Sequence, residues 1–328
     1  MNQSASIPPT DGHGRLQHFP ISFFAIVMGL CGITIAYQRA ESVLQLPVHI
    51  SGYLLTAAGV VFVVLATLYL LKLARYSSAV VKDLHHPVRL SFFPTISISL
   101  ILLSIGTLHV APQLSFWLWC MGTAVHMIFT LYIMDVWIHH QHFEIHHINP
   151  AWFIPVVGNM LVPIAGVHHG FTEISWFFFS VGLLFWLVLL TIIFYRVTFH
   201  NPLPQRLVPT FFILIAPPAV GFISYVNLVG NVDNFARVLY YTGLFLTILL
   251  ATQYFRFAKL KFFLSWWAYS FPLAAITIAS VLMYGHSGLV LYWAVSVLLL
   301  AVLTLIITIL VYKTLQGIAR REICVEEG

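Results

Sequence analysis

The chain has 328 residues, 60% of them hydrophobic and 8% charged, with a mean hydropathy of +0.93 and a formal net charge of +5. A soluble domain carries about 25% charged residues, so this composition excludes a water-facing globule. The apolar runs are about 20 residues long, enough to cross a bilayer as helix. They do not alternate, which excludes a β-barrel, and the scattered Lys and Arg offer no patch for a nucleic acid.

In chain order, residues 1–18, "MNQSASIPPTDGHGRLQH", are polar and lack the layout of a cleaved signal peptide. They are expected to form a flexible cytoplasmic tail. Splitting the remainder at polar and turn-forming stretches predicts an all-α integral membrane protein with ten spans. They lie at about 20–38, 49–71, 88–109, 114–138, 150–168, 174–196, 207–227, 235–256, 263–284 and 288–313. A membrane domain over 19–314 is therefore followed by a short C-terminal tail, 315–328. The links "APQLS" and "GHSG" are short enough to force antiparallel neighbours, so the chain reads as helical hairpins.

Orientation follows from the basic residues. Arg15, Lys72, Arg75, Lys82, Arg89, Arg196, Arg206, Arg256, Lys259, Lys261, Lys313, Arg320 and Arg321 fall on the side bearing the N-terminus, against Arg39 and Arg237 on the other. Both termini are expected to be cytoplasmic. Proline then marks every odd span or its start: Pro20, Pro94, Pro155 with Pro163, Pro217 with Pro218, and Pro272. A proline removes a backbone hydrogen bond and bends a helix. In hydrocarbon that is tolerated where the bend faces protein or a wet cavity. The pattern predicts two layers, with five bent helices inside five straight ones.

No ionisable residue stands clearly in mid-membrane. His126 is deep in the fourth span, where a hydrogen-bonded structural role is expected, and the polar atoms of the odd spans, Asn159 among them, are mild. Such a pathway cannot hold an ion tightly, yet it can pass one that is cheap to dehydrate, with selectivity set by field and aperture. The basic mouth favours anions. The run "HHQHFEIHH", His139 to His147, invites a metal-enzyme reading of the histidine-box type. Its possible partners His168–His169 fall on the opposite face, so a solvated loop is expected and no cofactor or metal is assigned. Cys31, Cys120 and Cys324 are too far apart in sequence to suggest a pair or a metal site. No nucleophile elbow, phosphate loop or zinc-protease helix is present, so the sequence offers no sign of an enzyme.

The motifs "HHPVRLSFFP" (85–94), "NPAWFIPVVGN" (149–159), "LVPTFFILIAPPAV" (207–220) and "SWWAYSFPLAA" (265–275) resemble matching helices of one family. It contains the plant slow-type anion channels, the bacterial tellurite-resistance membrane proteins and the yeast sulfite and malate transporters. The resemblance implies five hairpins around a quasi-fivefold axis, the odd helices lining a pore in each subunit of a homotrimer. It also implies that Phe271 plugs that pore midway, beside a bend at Pro272. Pro20, Met28, Pro94, Pro155, Asn159 and Pro217 are the further pore-lining or helix-bending candidates. Trp266 and Trp267 are expected to anchor at the interface.

The reading that follows is a gated channel for small monovalent anions such as chloride and nitrate, in the lipid bilayer of a bacterial cytoplasmic membrane. The alternative is a secondary carrier or exporter of sulfite, tellurite or a C4-dicarboxylate. The lack of a deep charged site and of two matching transporter halves speaks against it.

Overall fold

In hydrocarbon each backbone N–H and C=O must be satisfied within the chain, and the molecule meets this demand with helices. The computed structural model describes residues 14–47, 49–139, 143–320 and 322–323. Most of the expected N-terminal tail, Arg321 and Cys324 therefore lie outside the described residues.

Nine described helices are long and apolar enough to cross a bilayer. They are α1 (Ile21–Val43), α2 (Ser51–Arg75), α3 (Arg89–Thr107), α4 (Pro112–His139), α6 (Thr172–Phe199), α7 (Val208–Val229), α8 (Asn234–Ala251), α9 (Leu264–Ser287) and α10 (Val290–Ala319). A shorter apolar helix, α5 (Pro150–Gly166), completes the series. Its first turn is a 3-10 helix, Pro150–Phe153, and its α-helical part is Ile154–Gly166. With a rise of about 2.0 and 1.5 Å per residue respectively, it reaches about 28 Å. That length is close to the hydrocarbon thickness.

The odd and even helices differ in burial as the proline pattern predicts. The most apolar windows of α1, α3, α7 and α9 are 72%, 89%, 72% and 78% buried, and every residue of Ile154–Gly166 in α5 is buried. The corresponding windows of α2, α4, α6, α8 and α10 are 17% to 39% buried. Each even helix packs on the odd helix before it, and the odd helices touch in the closed order α1–α3–α5–α7–α9–α1. Five inner helices thus form a ring and the outer five turn apolar side chains such as Val60, Ile128, Leu187, Phe245 and Leu298 outward. All odd helices run the same way. The start of each defines the basic face and the end of each the far face.

The prolines act at a different place from the one expected. Each inner helix opens with 3-10 turns: Ile21–Phe23, Arg89–Phe92, Pro150–Phe153, Val208–Ile215 and Leu264–Tyr269. Pro20 precedes the first of these, while Pro94, Pro155, Pro217 and Pro272 sit at or just inside the start of the α-helix that follows. In the first turn a missing N–H costs nothing, because that donor has no intrahelical partner anyway. The pyrrolidine ring would still clash with a regular α-turn behind it, so the preceding residues wind as 3-10 helix. The prolines therefore form joins between two windings rather than kinks within one. Pro163 is the exception, lying inside α5. The outer helices run without such a join.

Candidate functional site: a cavity on the ring axis

On each inner helix two residues three apart share a face, and in the ring those faces enclose a cavity. Gly32 and Ile35 of α1, Leu102 and Ile105 of α3, Leu161 and Ile164 of α5 line it. Val220 and Ile223 of α7 and Ala275 and Ile278 of α9 close the circle. Two further residues mark its ends. Phe271, one turn before Ala275, lies at the end toward the basic face, and Arg39, one turn beyond Ile35, at the end toward the far face. The volume is about 30 Å³, roughly the room of one liquid water molecule. Its wall is aliphatic apart from Phe271 and Arg39.

Close approach of α1 and α9 sets the ring of Phe271 in this position. A Cβ added to Gly32 would meet the Ala274 Cβ at 2.8 Å and the Phe271 Cδ2 at 3.7 Å. Glycine is thus the residue that lets the backbone of α1 run against the α9 turn carrying the ring. Phe271 is buried.

Comparison with known proteins gives the chain a family. The family model described as SLAC1, voltage-dependent anion channel, matches residues 18–315. The chain belongs to this family. Among curated relatives, the S-type anion channel SLAH3 of Arabidopsis thaliana is 29% identical over 307 residues, covering 92% of this chain and 48% of its own. The chain thus spans about half the length of that relative. An uncharacterized transporter of Methanocaldococcus jannaschii is 28% identical over 310 residues, covering 85% of this chain and 91% of its own. A tellurite resistance protein TehA homolog of Haemophilus influenzae is 25% identical over 269 residues, covering 81% of each. The apolar helices make the chain a multi-pass membrane protein, and the named relatives of its family are anion channels and transporters.

Within this SLAC1-family ring, the residues singled out by sequence are distributed unevenly. Phe271 lines the cavity. Met28 lies one turn before Gly32 on α1, buried but outside the cavity. Asn159 turns toward α4, where its Nδ2 donates to Thr130 Oγ1 at 3.1 Å and to the Pro155 carbonyl at 2.8 Å. It contributes nothing to the cavity wall, which α5 builds from Leu161 and Ile164. Pro20, Pro94, Pro155, Pro217 and Pro272 are at the joins already described and do not line the cavity. Trp267 is buried rather than interfacial, its Nε1 donating to Thr314 Oγ1 at 2.9 Å. It fastens α9 to α10 from within.

His126 has the structural role expected of it. Its Nε2 donates to the Pro155 carbonyl at 3.1 Å, and its Nδ1 lies 2.9 Å from Ser97 Oγ. The imidazole sits directly against Gly158, where any Cβ would collide with it. A single outer-helix residue thus ties α4 to α3 and α5. In the histidine-rich loop, His139 lies 3.1 Å from Asp135 and His146 lies 3.1 Å from Glu144. Among the described residues no three His, Cys, Asp or Glu side chains gather as a metal site; positions 140–142 lie outside the described residues.

Two positions escaped the sequence reading. Lys72, counted there as a loop cation, is a buried residue of α2. Its Nζ donates to the Phe19 carbonyl at 2.9 Å and to Asp83 at 2.7 Å, and Asp83 also receives Arg89 Nη1 at 2.7 Å. Arg39, counted as a far-side loop cation, lines the cavity. The signal was present: residues 32, 35 and 39 recur at helical spacing. The expected end of the first span at residue 38 hid it, because α1 continues to Val43.

Proposed function

We propose that the chain is a gated channel for small monovalent anions such as chloride and nitrate. The conducting path is the axis of the inner ring, and the Phe271 ring is the barrier on it. The observation that carries this reading is the cavity: five helices contribute matched apolar pairs to one axial space that ends on a single aromatic ring. An aliphatic wall offers no ligands to replace a hydration shell, so it discriminates by dehydration cost and releases what it admits. A space of about 30 Å³ has no room for a hydrated anion, so conduction requires the ring to move.

In this reading the basic face is cytoplasmic, by the distribution of Lys and Arg, in a bacterial inner membrane. Three subunits with separate pores associate.

The test is anion current through wild type and Phe271→Ala in the same voltage-clamped membrane. The alanine variant is expected to conduct at least about tenfold more, which corresponds to removing about 1.4 kcal/mol of barrier. Phe271→Leu, retaining four side-chain carbons, should raise it less. Current absent from all three proteins would overturn the channel and favour a carrier.

A further inference from the structure

Beyond the cavity, each of four inner helices leads to a polar side chain one turn past its last wall residue. Ile35 is followed by Arg39, Ile105 by His109, Ile164 by His168 and Ile223 by Asn227. Arg39 and Asn227 lie on α1 and α7, where a spacing of four keeps them on the face that lines the axis, while His109 and His168 lie in the turns just after α3 and α5. Contacts link them: the His109 and His168 rings meet edge to face with centroids 6.1 Å apart. The Asn227 side chain and the charge of Arg39 also act on His168. The Asn227 amide nitrogen donates to the Ile223 carbonyl at 2.7 Å. Both histidines are open to solvent, whereas Arg39 is half-buried at the cavity's end.

We propose that Arg39, His168 and His109 form a binding site for a small inorganic anion at the far mouth, one that strengthens as the far-side solution is acidified. The proposal rests on the channel reading for its role as a staging post, though binding itself does not.

The charge balance supports it. Partial burial lowers the His168 pKa; the Asn227 side chain acts in the opposite direction, and the charges of Arg39 and His109 lower it further. His169, its neighbour, is also lowered by burial and by His168, and its Nε2 faces Ser115 Oγ at 3.1 Å. Among the described residues no carboxylate shifts His168. Of those on the far face, Glu41 accepts from the Ile50 and Ser51 nitrogens, and Asp233 from Tyr225 Oη and the Ala236 nitrogen. Glu173 stands in the first turn of α6. At neutral pH the imidazole is therefore neutral and Arg39 is the site's charge. As pH falls through the lowered value the ring gains a proton and a second positive charge faces the axis. An anion seated between them screens the repulsion, so anion binding must raise proton affinity by the same factor that protonation raises anion affinity.

Two measurements test this. The first is current through Phe271→Ala as far-side chloride and far-side pH are varied. Lowering pH from 8 to 5 should reduce the half-saturating chloride concentration by about fivefold, the lower end of ordinary coupling between sites. The His109→Gln/His168→Gln double variant should lose that response while still conducting at pH 8, and Arg39→Gln should raise the half-saturating concentration at every pH. An unchanged pH response in the double variant overturns the site. The second needs no conduction: the His168 imidazole is titrated by NMR in purified wild type, in chloride and in gluconate. An upward displacement of its pKa by chloride supports the site even if no variant carries current. An identical titration in both salts overturns it, whatever the currents show.

Discussion

Gly32 shows how much of the axial cavity depends on one missing methyl group. Its added Cβ would stand 2.8 Å from the Ala274 Cβ, closer than two carbons tolerate, and neither partner has a flexible end to swing away. Gly32→Ala must therefore push α1 and α9 apart where Phe271 is held. Overpacking of this kind costs about 1–3 kcal/mol, and it should lower the unfolding temperature in detergent. It should also raise the resting anion current of otherwise wild-type protein, because the turn carrying the ring shifts with α9. A variant that loses stability with no change in current would separate packing of the α1–α9 contact from control of the ring. Gly32 was not singled out in the sequence, since one glycine in a long apolar helix carries no sign of what approaches it.

At the scale of elements, the helices were legible and their internal windings were not. Hydropathy and the placing of turn residues located all ten segments, because in hydrocarbon a helix must be apolar throughout and must end where polar residues begin. The prolines within or just before the odd spans separated inner from outer helices; Pro112 sits at the first position of α4, where it interrupts nothing. What proline does within a helix depends on how far it lies from the helix start, and the sequence does not mark that start when the preceding 3-10 turns are themselves apolar, as in "VPTFFILI" before Pro217. Asn159 was misplaced for a similar reason: with every residue of Ile154–Gly166 buried, no amphipathic stripe separates the axial face from the face toward α4.

The buried ionic cluster also belongs to this scale, since it joins four elements: the stretch before α1, the end of α2, the short helix Ser77–Leu84 and the first turn of α3. Lys72 is 2% exposed as a side chain and Asp83 is 9%. Removing the carboxylate strands the ammonium, and breaking a buried pair in this way costs about 3–5 kcal/mol. Asp83→Ala should accordingly be strongly destabilised in thermal unfolding. Replacing both partners at once, Lys72→Met with Asp83→Leu, should recover most of that loss, since the fully buried ammonium goes with its carboxylate and the remaining partner, Arg89, is 40% exposed and reaches water. A double variant as unstable as the single one would show that the cluster acts through packing of the connecting segments instead.

For the molecule as a whole, the orientation of the ring decides what the two mouths do. The basic face collects the loop cations, whereas the far face holds Arg39 and Arg237 with His109, His168 and His286. Excess Lys and Arg is retained on the cytoplasmic side during insertion, so the mouth with Arg39 should open outward. Single cysteines in a background lacking Cys31, Cys120 and Cys324 test this, with a membrane-impermeant maleimide as reagent. Asn231→Cys, in the exposed turn after α7, should react in intact cells. Lys261→Cys, in the link before α9, should react only after permeabilisation. The reverse pattern would turn the molecule over in the bilayer. The ring, the cavity and the position of Phe271 would be unaffected, but the acid-responsive mouth would then face the cytoplasm, and pH would have to be varied on that side to alter anion binding.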